Sequence, residues 1–170
     1  MGMTHTTNAV VKESITQALL ILMEDSPLSK ISITSIVQKA GVGRVSFYRN
    51  FESKKNVLEQ HLLKLLQEWG KSFENQGNPQ YFSESLLDHY YSNKDFYLLL
   101  YKHGLSTMVY ETIRRGTKVY ESQNNLERYG KSMLAGMLFG YVDEWIRQGM
   151  QETPKEMVTL WEQHHKTNHE

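Results

Sequence analysis

A chain of 170 residues, 39% apolar and 22% charged, has the length of one domain or of two small helical units sharing a core, and its composition excludes a disordered protein. It has no cysteine, which excludes disulfides and thiolate metal sites and fits a reducing compartment. Nineteen basic residues balance nineteen acidic ones, but unevenly: between Ser26 and Lys55 six basic residues (Lys30, Lys39, Arg44, Arg49, Lys54, Lys55) meet one acid, Glu52, a local charge of +5 against −5 elsewhere. A positive patch on a neutral chain is the footprint of a nucleic-acid module, although a solvated face can look the same. No apolar run approaches the ~20 residues that cross a bilayer; the longest, Ala18–Met23, stops at Glu24. The polar N-terminus, 1–12, lacks the organisation of a secretory signal, so the expected location is the cytoplasm.

Nearly every segment reads as helix, because apolar residues recur at three and four without strand-like alternation. The spacing predicts a first helix over about Asn8–Asp25, with Val11, Ile15, Leu19, Leu22 and Met23 on one face and Ser26-Pro27 ending it. A short second helix follows Ser32, whose hydroxyl can cap the first-turn amides, and turns Ile33, Ile36, Val37 and Ala40 inward. Gly41 breaks the pattern, as a residue that readily takes positive φ. A third helix starts at Gly43 or Arg44 and ends near Phe51. A fourth opens at Ser53 and carries Leu58, Leu62, Leu65, Leu66 and Trp69 to about Phe73. Glu74–Pro79 is the clearest break in the chain. Three short helices are expected near Gln80–Asn93, Lys94–His103 and Leu105–Gly116, then a long one from about Asn124 to Gln148, ended by Gly149. The last has a complete start signal, with Thr153 as cap, Pro154 in the first helical position and Glu156 closing a capping box. After Trp161 the tail (His164 to Glu170) has no apolar periodicity and is expected to fray.

Two short helices joined by a glycine-containing turn are the geometry of a helix-turn-helix, whose second helix enters the major groove. Such a helix must be anchored on one face and polar or small on the other. Phe47 and Phe51, four apart, can dock inward with Val42. That leaves Arg44, Ser46, Tyr48, Arg49 and Asn50 for the other faces, with Arg44 at the helix start able to reach a guanine edge bidentately. Lys54 and Lys55 lie in the first turn of the fourth helix, where the macrodipole disfavours a cation. Their placement makes sense if that turn faces a phosphate; a solvated turn is the alternative.

The run from Ile31 to Lys54 closely resembles the DNA-binding signature of the TetR family. Its apolar spacing, Ala40-Gly41-Val42, Phe47-Tyr48, Phe51 and Lys54 match that pattern in register. The resemblance implies an all-α, TetR-like fold of about nine helices. A helix-turn-helix domain over 1–52 would precede a regulatory and dimerisation domain over 53–170, with the fourth helix (53–73) linking them. It also implies that Ser32 and Thr34 touch phosphates, that Arg44, Val45 and Ser46 face the bases, and that Tyr48, Arg49, Asn50 and Lys54 hold the backbone. Two positions depart from the pattern. Gly43 stands where the family often has a capping serine, and Val45 where a smaller residue or proline is common. Glycine can still cap, and valine can meet a thymine methyl.

Farther along, Gly140-Tyr141-Val142-Asp143-Glu144-Trp145 through Met150, followed by Thr153-Pro154, resembles the short C-terminal domain of many Gram-positive TetR-type regulators. That resemblance implies pairing of the last two helices across a twofold axis. Candidate dimer residues are Gly136, Met137, Gly140, Tyr141, Trp145, Met157 and Trp161; packing within one subunit would use the same residues. The middle helices carry a heavy aromatic load. Trp69, Tyr90, Phe96, Tyr97, Tyr101 and Met108 are candidates to line a polar-aromatic cavity for a small effector, and ordinary core packing explains them equally well.

No catalytic site, metal site or cofactor is expected. There is no phosphate-cradling glycine loop, nucleophile elbow or paired-histidine zinc motif. Glu162 and His165 have a Glu-x-x-His spacing in a single copy, where carboxylate metal sites need two, and the adjacent Asp88 and His89 point to different helix faces. The expected function is a sequence-specific DNA-binding regulator: a ligand-responsive repressor acting as a homodimer on a palindromic operator. An activator of the same fold, or a helical interaction module that no longer reads DNA, are the alternatives. Retention of Arg44, Tyr48, Arg49 and Lys54 weighs against the last.

Overall fold

The computed structural model describes residues 3–76, 78 and 81–167. Of the expected break over Glu74–Pro79, Gly77 and Pro79 lie outside them, as do the expected helix start at Gln80 and the last three tail residues, Asn168, His169 and Glu170, while Glu74–Gln76 continue the fourth helix instead of breaking it. Among the described residues there are nine α-helices and no strand: α1 (Met3–Asp25), α2 (Ile33–Ala40), α3 (Arg44–Asn50), α4 (Lys54–Gln76), α5 (Phe82–Ser92), α6 (Lys94–Lys102), α7 (Ser106–Gly116), α8 (Asn125–Arg147) and α9 (Pro154–Thr167). One turn of 3-10 helix, Val119–Glu121, follows α7. No helix among the described residues is long and apolar enough to cross a membrane.

Local chemistry sets most boundaries. Proline disfavours helical backbone at Ser26, and α1 ends at Asp25. Ser32 takes extended backbone and its Oγ accepts the Ser35 amide at 2.9 Å, capping α2. At the other end Gly41 adopts φ +67°, and the Val42 amide bonds back to Val37 O at 3.0 Å, the double closure that a left-handed residue allows. The capping box of α9 is reciprocal: the Thr153 amide donates to Glu156 Oε2 (2.8 Å) and the Glu156 amide to Thr153 Oγ1 (3.3 Å). The tail that was expected to fray after Trp161 instead continues α9 to Thr167. A capped first turn supplies the costly nucleus, and no glycine or proline interrupts propagation.

The chain divides into two compact units, 1–64 and 65–170. The division falls inside α4 rather than before it. The early turns of α4 bury Val57, Leu58 and Leu62, and they bond to α1 and α3 through Gln60 and Lys64. With these residues, Ile15, Ala18, Leu19 and Met23 of α1, Ile36 and Val37 of α2, and Phe47 and Phe51 make the core of the first unit. In the second unit α7 and α6 run against α8, and α9 lies along α5. Its core includes Leu87, Tyr90, Tyr97, Leu100, Val109, Val142, Trp145 and Ile146.

Candidate nucleic-acid interface

Helix α3 is seven residues long and amphipathic in the most literal way. Phe47 is fully buried and lies edge-on to Tyr48 at 5.5 Å and against Phe51 at 5.9 Å between ring centres. The two phenylalanines anchor one face. On the other, Val45 is 72% and Tyr48 54% exposed, an unusual cost for large apolar groups on so short a helix. Arg44 and Arg49 flank them, also exposed. Ser46 is half-buried. Gly43 caps with its backbone alone, since no side chain is there to bond the first-turn amides.

The surrounding cations are open. Lys30, Lys39, Arg44 and Arg49 are exposed, and among the described residues none of them bonds a carboxylate; Lys55 alone of the cluster has an acidic neighbour, Glu59, at 3.9 Å. Thr34 is exposed beside the capped start of α2, where Ser32 spends its acceptor on Ser35. Unopposed guanidinium groups, the Tyr48 phenol and the Thr34 hydroxyl can donate to phosphate oxygens, and Arg44 and Val45 can meet base edges.

Two residues assigned to this surface point elsewhere. Asn50 is buried, and its Nδ2 donates to Ser46 O at 2.8 Å. It lies three residues after the buried Phe47, on the anchored face of the helix, so it cannot hold a phosphate. Lys54 is half-buried, and its Nζ donates to Leu28 O at 2.7 Å and Ile31 O at 2.5 Å. The ammonium closes the α1–α2 connection by donating to two loop carbonyls, which explains a lysine in a first turn without an external anion. Gln60, absent from the expected set, bonds both Asn50 and Lys12; nothing in its sequence neighbourhood marks it.

In the second unit the candidate dimer residues separate. Trp145 is 3% exposed, stacks on Tyr91 at 6.1 Å, and donates its indole N–H to Glu152 O at 3.2 Å. It is core and not interface, because α8 turns it toward α5. Met137 is 61% and Trp161 49% exposed; Tyr141 and Met157 are half-buried, and the Tyr141 and Trp161 rings meet at 5.0 Å. Leu126, Tyr129 and Met133 extend this apolar stripe along α8. Gly136 and Gly140 are exposed, and a side chain at either would meet nothing within 4 Å.

The aromatic residues of the middle helices are brought together as packing. Tyr90 and Tyr97, each 2% exposed, lie 4.5 Å apart, with Phe96 beside Tyr97 at 5.8 Å; Met108 is buried. Trp69 is half-buried, stacks on Phe73 and donates to Ser85 Oγ at 2.9 Å. Tyr101 donates to Asp143 Oδ1 at 2.6 Å. His89, buried between Trp69 and Tyr97, shares a 2.9 Å hydrogen bond with the Tyr97 hydroxyl, and burial holds its imidazole down at about 4. Burial likewise raises the Tyr90 and Tyr97 hydroxyls well above a free phenol.

A TetR-type family model described as a transcriptional regulator C-terminal region matches residues 77–165. Among solved structures, that of Lin0861 from Listeria innocua aligns with a TM-score of 0.77 at 16% identity, covering 95% of this chain and 92% of that one. At that identity the likeness concerns the fold. No curated protein matches the chain.

Proposed function

Because the chain belongs to the TetR family of transcriptional regulators, we propose that it reads a specific DNA sequence with α3 and acts as a homodimeric repressor. The observation that carries this reading is the division of labour on α3. Phe47, Asn50 and Phe51 face inward, and Arg44, Val45, Tyr48 and Arg49 are exposed, the two arginines, like Lys30 and Lys39, with no carboxylate bonded to them among the described residues. An internally neutralised patch would need no partner; this one is complementary to a phosphate backbone. Ser32, Thr34 and Ser46 complete the proposed contact set.

Dimerisation is proposed through α8 and α9. Met137 and Trp161 are more apolar surface than a free helix pair needs, and Gly136 and Gly140 let another helix approach closely. A twofold dimer would set two α3 helices into successive major grooves of a palindromic operator. An effector taken up among the aromatic residues of the second unit, nearest the half-buried Trp69 and Tyr101, would favour one of two α3 spacings and act through α4. The protein would work in the cytoplasm, without a catalytic step.

Binding to pooled genomic DNA fragments at moderate salt, with sequencing of what is retained, tests the reading. Recovery of a palindromic site supports it. No enrichment, with and without added cell extract, would leave a helical interaction module as the better account.

A further inference from the structure

Helix α3 is less than two turns long, so its last carbonyls need partners from outside. The Phe51 amide closes onto Phe47 O at 2.8 Å. The Asn50 carbonyl takes its hydrogen bond from α4, where Gln60 Nε2 lies 3.2 Å away. The same Nε2 donates to Asn56 Oδ1 (2.9 Å), which also accepts the Glu52 amide at 3.4 Å. At the other end of the side chain, Gln60 Oε1 accepts from Lys12 Nζ of α1 at 3.2 Å. One primary amide therefore joins three helices. Its orientation is unique, because a flipped amide would set donor against ammonium and acceptor against acceptor. Lys12 also lies over the Phe51 ring, 5.8 Å from its centre. Packing of Phe47 and Phe51 is non-directional and lets a short helix roll; a hydrogen bond to its final carbonyl does not.

We propose that Gln60 is a positioning residue for recognition. Acting through the Asn50 carbonyl, it fixes the roll of α3 and so decides which base edges Arg44 and Val45 meet. This inference rests on the DNA-reading role proposed above.

Two variants of the full chain separate the arms of the amide. Gln60→Glu keeps an acceptor for Lys12 but turns a carboxylate oxygen on the Asn50 carbonyl. Lys12→Met removes the cation and leaves the Gln60–Asn50 bond. Hydrogen exchange of the free protein is read first. In Gln60→Glu the Phe47 and Phe51 amides should exchange about tenfold faster, the worth of one hydrogen bond, with α1 and α2 unchanged. In Lys12→Met they should stay within about twofold of the parent. Competition between the recovered site and a single-base-pair variant of it is read second. Preference for the site should fall about tenfold in Gln60→Glu and should persist in Lys12→Met. Unaltered α3 exchange in Gln60→Glu overturns the proposal. So does faster exchange with site preference intact, which would make Gln60 a structural cap only. A parent chain that prefers no sequence overturns the DNA-reading role and the recognition claim with it; the exchange result, which needs no DNA, distinguishes that failure from a failure of the Gln60–α3 link.

Discussion

The exposed cations of α2 and α3 and three bonded cations of the second unit, Arg147, Arg114 and Lys94, are used in opposite ways. Lys39, Arg44 and Arg49 are exposed, with no carboxylate bonded to them among the described residues. In residues 65–170, Arg147 bonds Asp143, which also accepts from Tyr101. Arg114 lies over the Tyr110 and Tyr120 rings and bonds both hydroxyls. Lys94 donates to Met150 O at 2.7 Å. A charge with an internal partner contributes to the fold, whereas a cluster left open adds repulsion that only an external anion relieves. A polyanion on the first unit and a second copy against the apolar stripe of α8 and α9 are the uses proposed for these two surfaces.

The largest effect that would break this comparison concerns the two tryptophans. Trp145→Ala should cost about 3–5 kcal/mol in denaturant unfolding, as removal of a buried indole does. Trp161→Ala should cost less than about 1 kcal/mol and instead raise the dimer dissociation constant by about tenfold or more, read by sedimentation. Equal losses of stability would place both in one core.

Lysine 54 sharpens the contrast within the first unit. Lys54→Met should lower stability by about 2 kcal/mol, the scale of a charge-assisted hydrogen bond, and leave the salt dependence of DNA binding unchanged. Arg49→Ala should reduce that salt slope by about one. A reduced slope in Lys54→Met would return Lys54 to the phosphate backbone.

His89 gives the second unit a pH signature. Its folded pKa, about 4, lies below that of a free imidazole, so between these values the unfolded chain binds a proton that the folded chain does not. Stability is therefore present above about pH 6.5 and lost as pH falls, by about 2 kcal/mol between pH 7 and pH 5. His89→Gln, which keeps a polar group near Tyr97, should flatten that part of the unfolding profile; an unchanged profile would assign the loss to other groups. The smallest effect is at the start of α3. A side chain at Gly43 would meet nothing within 4 Å, and Gly43→Ser should add a few tenths of a kcal/mol in thermal unfolding by capping.

Features settled within four residues were readable in the sequence. The Ser32 cap, the Gly41 turn and the Thr153–Glu156 capping box each depend on neighbours in the same turn, and so the helix-turn-helix and most helix limits follow from local chemistry. What escaped depends on distant partners. Lys54 bonds carbonyls 26 and 23 residues away, and Asn50 O meets Gln60 ten residues on. Trp145 stacks on Tyr91, a pairing that periodicity along α8 cannot reveal. The aromatic residues of α5 and α6 were ambiguous for the same reason: a tyrosine fits a cavity wall or a core, and only its ring neighbours decide.

The most direct test of the central claim, that α3 reads DNA through its exposed face, is parallel selection of randomised duplexes by the parent and by Arg44→Ala. The expected result is one shared palindrome with unchanged half-site spacing, in which Arg44→Ala loses preference at a single base pair per half-site, by about 1–3 kcal/mol. Identical preferences in the two proteins would contradict it.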